Sequence, residues 1–255
     1  MAELLRIESV SKRFGGLQAV DQCSFSVNRG SLVGLIGPNG AGKSTLFNLV
    51  SGLHGPEAGS IRLESDELVG RAPHEIAGLG LARTFQTPRS FSTLSCLENL
   101  LASVPSRGEQ ITSAILGTYR AGERESIAAA RQHLELVGLQ GRADDRADEL
   151  SGGELRMLEV ARQLMRDPKI LLLDEPTAGV TPTLQVRLTE ALKQLHAGGL
   201  TVIVVEHNLG FLLNLVERVV VMVKGRVLTQ GEPGSIRSDP EVINAYLGRR
   251  GGDAA

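Results

Sequence analysis

Nine consecutive residues, Gly37-Pro38-Asn39-Gly40-Ala41-Gly42-Lys43-Ser44-Thr45, combine loop-forming glycines with a lysine and two hydroxyls. The spacing G-x-x-x-x-G-K-[ST] is that of a phosphate-binding P-loop. Gly37, Gly40 and Gly42 allow the backbone to curl so that successive N–H groups, Asn39 included, point inward at phosphate oxygens. A helix that starts here adds its unpaired N-terminal N–H groups to the same anion. Lys43 would reach the β- and γ-phosphates, Ser44 would hold Mg²⁺ through its hydroxyl, and Thr45 completes the binding run. The alternative is a glycine-rich strand-to-helix turn with no ligand. The flanks argue for the site: an apolar run from Ser31 to Ile36 precedes it, and Leu46, Phe47, Leu49 and Val50 follow at helical spacing. The pattern predicts a nucleoside triphosphate site.

A second group of reactive side chains lies at strand ends. Ile170-Leu171-Leu172-Leu173 runs into Asp174 and Glu175. Side chains at the C-terminal end of such a strand face the ligand crevice of an open α/β sheet. Asp174 would hold the Mg²⁺ shell, and Glu175 is placed to orient or deprotonate water. Taken alone, an acidic strand end is ordinary; a P-loop in the same chain reverses the balance. His207 follows Thr201–Val205 and Glu206, so it too would face the crevice, although a histidine there is more often a satisfied core residue. Gln86 follows another short strand, where a solvated loop glutamine is the ordinary reading. Ser151-Gly152-Gly153-Glu154 is a capping box by pattern and an anion site by the same geometry. Spacing alone does not choose between them. Phe14, beside Gly15-Gly16, reads as a small core contact under the turn.

These groups need elements to position them. Leu4–Val10, Ala19–Val27 and Leu32–Ile36 read as strands, with Lys12–Gly16 as a basic loop between the first two. Ser60–Leu63 and Leu81–Phe85 are further strands, and His74–Leu79 is a short helix. From about residue 90 to 166 the period turns helical, with Ile127, Leu134 and Val137 on one face and Leu155, Leu158, Ala161, Leu164 and Met165 on another. Residues 138–150 read as a polar loop. Ile170–Leu173 and Thr201–Val205 lack alternation, as strands buried on both faces of a parallel sheet do. Thr181-Pro182 starts a helix running through Leu184–Leu195, Lys224-Gly225-Arg226 closes a hairpin, and Pro240–Leu247 forms a last helix before a Gly-rich tail expected to be disordered. The fold class is α/β: a P-loop (RecA-like) nucleotide core over 1–87 and 160–255, with an N-terminal antiparallel β part and an inserted α-helical subdomain over 88–159.

Composition removes several classes of function. The 255 residues carry 27 basic and 29 acidic side chains, so no global field points to nucleic acid. Aromatics are 3% with no Trp, which argues against base-stacking platforms. Cys23 and Cys96 lie far apart without metal-like spacing and read as free thiols. The N-terminus lacks a signal-peptide profile, and no apolar run reaches membrane-span length. A cytoplasmic protein is expected, with any membrane role exerted through a partner.

In order along the chain, these motifs resemble the ATP-binding subunit of an ABC transporter, over roughly residues 4–248. The resemblance implies that Phe14 stacks on adenine, where the family more often has tyrosine. It makes residues 37–45 the Walker A motif, Gln86 the Q-loop glutamine that senses Mg²⁺ and the attacking water, and Leu150–Glu154 the signature sequence. Residues 170–174 become Walker B, Glu175 the catalytic base, Ala178–Thr181 the D-loop and His207 the switch histidine on the γ-phosphate. Thr181 departs from the Asp or Asn of many relatives, so altered coupling across a dimer is expected there. Arg13–Val20, Ala82-Arg83-Thr84-Phe85-Gln86, Leu97-Glu98-Asn99-Leu100 and Val242–Gly248 are similar to the branched-chain amino acid importer ATPases, a group that also serves urea and short amides. Members of that group often carry an aromatic residue where Gly152 stands.

The resemblance implies ATP and Mg²⁺ as cofactors, and a second ATPase subunit, identical or different, that presents Ser151-Gly152-Gly153 to this chain's bound nucleotide. Transmembrane permease subunits would dock on the helical insertion through Arg89, Phe91 and Leu94, with a periplasmic solute-binding protein as an indirect partner. The chain would then lie peripherally on the inner face of the cell membrane. Two rivals within the family are an exporter ATPase, such as that of lipopolysaccharide transport, and a nucleotide-gated regulatory protein. A soluble ABC ATPase of translation or DNA repair would need tandem cassettes or a long coiled coil, which this sequence lacks.

Overall fold

The computed structural model describes residues 2–87, 89–104 and 119–247. The chain folds as two compact units, one of Met1–Arg83, Lys169–Glu175 and Leu195–Ala255, the other of Thr84–Pro168 and Pro176–Gln194. The helical stretch expected over 88–159 falls in the second unit, which also takes in Pro176–Gln194.

The first unit begins with a long hairpin, β1 (Glu3–Phe14) and β2 (Leu17–Asn28). Residues 12–14 belong to β1 rather than to a loop. Two glycines suffice for the reversal, with Gly15 at φ 56°, and the pairing continues through Arg13↔Gln18 and Phe14↔Leu17. Arg13 Nε donates to Gln18 Oε1 across the last rung but one at 3.1 Å. β4 (Ala58–Leu63) joins β1 antiparallel, and β5 (Asp66–Glu67) completes a sheet of order β2-β1-β4-β5. Leu5, Ile7, Val20, Cys23, Val27, Ile61 and Leu63 of this sheet are buried, the alternation expected of a sheet with one face on a core.

The second sheet has the order β10-β9-β3-β8-β7-β6. Its strands are β3 (Leu32–Ile36), β6 (Leu81–Arg83), β7 (Ile170–Asp174), β8 (Thr201–Val205), β9 (Arg218–Val223) and β10 (Arg226–Gly231). All neighbours are parallel except the β9–β10 hairpin. Every residue of β3, β7 and β8 is buried, which is why these strands read as uninterrupted apolar runs. Helix α1 (Lys43–Val50) adds Leu46, Phe47, Leu49 and Val50 to a core shared with both sheets. Helix α2 (Pro73–Gly78) contributes Ile76. β6 ends at Arg83, two residues short of the strand expected from sequence.

The second unit holds α3 (Cys96–Leu101), α4 (Tyr119–Leu136), α5 (Gly152–Leu164) and most of α6 (Pro182–Ala197). Leu134 and Val137 are fully buried, as their spacing predicts, and Ala130 joins them. On α5 the buried set is Met157, Leu158, Val160, Ala161 and Leu164, whereas Leu155 and Met165 are half-buried. The stretch 138–150 contains two 3₁₀ turns, Gln140–Arg142 and Ala147–Glu149, and buries Leu139, Ala143, Ala147 and Leu150. It is therefore a packed connection rather than a loose polar loop.

Three helices complete the first unit: α7 (Leu209–Leu215), α8 (Pro233–Ser238) and α9 (Pro240–Leu247). The first two are too short to show a helical period in sequence. Asn208 nevertheless caps α7, its Oδ1 accepting from Phe211 N at 3.0 Å. The Gly-rich tail lies outside the described residues. Cys23 and Cys96 are free, buried thiols, and burial pushes them up to about 12 and about 11.

Candidate functional site

The P-loop leaves β3 and enters α1 through three glycines with positive φ: Gly37 at 152°, Gly40 at 76° and Gly42 at 101°. Two of them are also demanded by packing. A Cβ on Gly37 would lie 2.1 Å from Met222 O, and one on Gly42 would lie 2.3 Å from Ala19 O. The β9–β10 turn braces the loop from outside. Gly225 N donates to Ala41 O, and Gly225 O accepts from Asp21 N, both at 2.9 Å. Helix α1 has no side-chain cap and no acidic residue in its first turn, so neither offsets its positive end. Asn39, Gly40 and Ser44 are exposed and Thr45 is half-buried. Lys43 is 5% exposed, with its ammonium folded into the loop, donating to Gly37 O at 2.7 Å and Pro38 O at 3.2 Å. Inward-curling backbone, an uncapped helix start and a lysine held at the mouth suit a polyphosphate.

β7 and β8 carry the second group in the same unit. Asp174 is buried, and its Oδ2 accepts from Arg83 Nη2 at 3.2 Å. Burial pushes the Asp174 carboxyl up, and the Arg83 guanidinium is foremost among the groups that pull it back. Glu175 sits in the left-handed region at φ 51°, its N donating to Val205 O at 2.9 Å. A non-glycine residue held there stores local strain, a recurrent feature of functional sites. Glu175 Oε1 lies 2.6 Å from His207 Nε2. The His207 side chain is 47% exposed, so it is not a satisfied core histidine. The neighbouring Glu206 is buried and accepts the His207 N–H at 3.2 Å.

Phe14 is not a core contact. It is 43% exposed at the hairpin end, where the His54 ring (5.4 Å, edge-on) and Lys12 Nζ (5.5 Å) approach it. A largely exposed ring there suits stacking on a base. Phe14, Gly37, Asn39, Gly40, Gly42, Lys43, Ser44, Thr45, Asp174, Glu175 and His207 all belong to the first unit, and Gln86 and Ser151–Gly153 to the second.

Within the second unit, Gln86 is exposed just after Phe85, whose N–H donates to Glu159 Oε1 on α5 at 2.9 Å. Sequence reasoning passed over Glu159, whose buried position within an apolar helix face was the available signal. Burial pushes its carboxyl up to about 7, against the Phe85 N–H and the guanidinium groups of Arg162, Arg156 and Arg89. Between the ordinary glutamate value and about pH 7 the folded chain keeps a proton that the unfolded chain releases, so stability falls as pH rises through that window. Glu159→Gln removes this titration. Its melting temperature should exceed the parent's at pH 8 by an amount corresponding to about 3 kcal/mol at most, with little difference at pH 5. A gap that does not change with pH would contradict this reading.

Ser151 and Glu154 form the capping box of α5. Ser151 Oγ accepts from Glu154 N at 3.3 Å, and Glu154 Oε2 accepts from Ser151 N at 2.8 Å and from Ser151 Oγ at 2.7 Å. A Cβ on Gly152 would meet nothing within 4 Å, whereas one on Gly153 would meet Leu184 Cδ1 at 3.0 Å. Gly152 therefore leaves open space at the helix start. Asn99, noted in sequence only as part of Leu97-Glu98-Asn99-Leu100, is fully buried and staples the segment before α3. Its Nδ2 donates to Phe91 O, Leu94 O and Ser95 O, and its Oδ1 accepts from Phe91 N, all between 2.9 and 3.2 Å.

Comparison with known proteins adds the decisive observation: residues 20–178 match the family model described as ABC transporter. The chain belongs to the ABC transporter family. A second model, branched-chain amino acid ATP-binding cassette transporter, matches residues 226–251 of this cassette. Over 96% of its length the cassette is 38% identical to the probable branched-chain amino acid transport ATP-binding protein LivG of Archaeoglobus fulgidus, covering 96% of that protein. It is 39% identical to the high-affinity branched-chain amino acid transport ATP-binding protein BraF of Pseudomonas aeruginosa, covering 96% of this chain and 98% of that one. Among solved structures, the ADP conformation of an ATP-binding cassette of an ABC transporter superposes with a TM-score of 0.84 at 36% identity, covering 97% of this chain and all of that one. A nucleotide-free cassette gives 0.83 at 35% identity, covering 96% and 98%. The cassette is an α/β nucleotide-binding ATPase, as its motifs predict.

Proposed function

We propose that this cassette is the ATP-hydrolysing subunit of an importer of branched-chain amino acids or a related small polar solute. The observation that carries the catalytic part is the Glu175 carboxylate, strained at its strand end and 2.6 Å from His207, in the same unit as the Lys43 loop. The cargo class rests on the names of the full-length relatives and on the C-terminal match.

Lys43 would exchange the carbonyls of Gly37 and Pro38 for phosphate oxygens, so its charge is desolvated and aimed before ATP arrives. Glu175 would accept a proton from water as the water oxygen bonds to the γ-phosphorus and the bond to the ADP leaving oxygen breaks. His207 would release Glu175 and turn to a γ-phosphate oxygen. The donor set fits Mg²⁺: a hydroxyl and a carboxylate are hard oxygen ligands, and this ion takes few protein ligands beside substrate phosphates. Among the described residues no group of three or more His, Cys, Asp or Glu side chains could hold a metal by itself. Ser44 and Asp174 would hold the ion, with Gln86 reporting on it. When bound, it neutralises charge developing on the phosphates.

Ser151, Gly152 and Gly153 of a second ATPase subunit, identical or not, would close over the γ-phosphate, with the open space beside Gly152 admitting the nucleotide. ATP then acts as the adhesive and hydrolysis as the release. No helix among the described residues is long and apolar enough to cross a membrane, so membrane attachment would come through permease partners. Their docking face is the segment stapled by Asn99, where Phe91 is 51% exposed and the Arg162 guanidinium lies 5.3 Å from its ring. Arg89, also exposed, lies over Phe85 at 4.3 Å. Arg89→Glu should lose the permease in a pull-down while keeping ATP binding; full retention would count against this face.

The experiment that tests the whole reading is purification from membranes followed by identification of what comes with the cassette. An importer permease, together with a solute-binding protein that binds branched-chain amino acids, is the expected result. An exporter permease would overturn it.

A further inference from the structure

Arg83 connects two motifs that lie far apart in the chain. It ends β6, the strand beside β7, where it pairs with Leu172. Its side chain is 7% exposed and turns toward α1 instead of solvent. There Nη1 donates to Asn48 Oδ1 at 2.8 Å and to Ser51 Oγ at 2.9 Å, while Nη2 donates to Asp174 Oδ2 at 3.2 Å. The Phe47 ring lies 5.6 Å from the guanidinium carbon. Ser51 Oγ in turn donates a hydrogen bond to Phe47 O at 2.7 Å, so the cation is tied to the backbone at the end of the helix. That end carries no basic residue of its own, and a cation is favoured at a helix C-terminus. The planar fork thus spans the P-loop helix and the carboxylate at the end of β7. A lysine could satisfy either partner but could not bridge both in fixed geometry.

We propose that Arg83 is a positioning residue that keeps Asp174 in register with the P-loop helix, and so with Ser44 at its start. In this arrangement Arg83 acts through Asp174, its hydrogen bonds going to Asn48, Ser51 and Asp174. It sets where the carboxylate oxygens stand relative to the ion's other ligand. The inference rests on the reading of Ser44 and Asp174 as the Mg²⁺ ligands. Its predicted signature is selective: loss of the bridge weakens the metal-dependent part of nucleotide binding and leaves the Lys43-dependent part alone.

The test measures affinity for a non-hydrolysable ATP analogue by calorimetry, with Mg²⁺ and with EDTA, in the parent, Arg83→Lys, Asp174→Asn and the double variant. The expected result is that Arg83→Lys keeps its affinity in EDTA within about twofold and loses about tenfold of the gain that Mg²⁺ confers. In the Asp174→Asn background the same change should do nothing further. Should Arg83→Lys fail to fold, Asn48→Ala frees one arm of the guanidinium more gently and should raise the Mg²⁺ half-saturation several-fold with EDTA affinity intact. Equal losses with and without Mg²⁺, an unaltered Mg²⁺ gain, or full additivity with Asp174→Asn would each overturn the proposal. A parent that gains nothing from Mg²⁺ would instead refute the assignment of the ion's ligands, a result distinct from these.

Discussion

Lys43→Ala should lower ATP affinity by about two to three orders of magnitude while leaving the cassette folded. The ammonium is the only side-chain cation that the P-loop itself contributes, and its hydrogen bonds to phosphate are charge-assisted, worth about 1.5–3 kcal/mol each. In the folded chain it occupies Gly37 O and Pro38 O. Alanine leaves those carbonyls without this donor, Gly37 O in a buried position, at a cost of about 1–3 kcal/mol that does not unfold the cassette. The brace from Gly225 to Ala41, the Gly37 approach to Met222 and the α1 core contacts do not involve this side chain. Calorimetric titration should show weak binding with a melting temperature shifted by only a few degrees. Unchanged affinity would remove Lys43 from the phosphate site.

Glu175→Gln should reduce turnover by about 10² to 10⁴ and leave ATP affinity nearly unaltered, the range associated with losing a general base. The amide is isosteric and still offers an oxygen to His207 Nε2, so the 2.6 Å contact and the strand-end conformation survive. What disappears is the capacity to take a proton. The effect should therefore fall on kcat with KM little altered, separating it from Lys43→Ala, where binding is the first loss. Phosphate release measured at saturating Mg²⁺-ATP tests this, and a normal rate would assign the base elsewhere.

The strands that end at Asp174 and before His207, and the glycine-rich loop after β3, were legible because their signal is local. Apolar runs without alternation announced β3, β7 and β8, and each leads within one or two residues into the groups that matter. Arg83 and Asn99 stood in stretches noted only for their resemblance to a family, Glu159 in none, and what the three side chains do was not legible. Arg83 meets Asp174 across 91 residues of chain and Glu159 meets Phe85 across 74, so their partners exist only after folding. For Phe14 only the reading from local spacing, a core contact, fails, and for a related reason. Local spacing placed it under a glycine turn, but register continued to the last rung of the hairpin and left the ring in the open. In Ser151–Glu154 the capping box is present in full, yet that does not displace the other reading, because a helix start able to cap itself can also offer N–H groups to an anion.

In the function proposed above, ATP joins two cassettes, each supplying half of what surrounds the γ-phosphate. Light scattering of purified Glu175→Gln with and without Mg²⁺-ATP tests this most directly. The predicted result is a doubling of mass with ATP, absent with ADP and abolished by adding Ser151→Arg at the opposing helix start. A mass unchanged by ATP at saturating occupancy, or a doubling indifferent to Ser151→Arg, would contradict it.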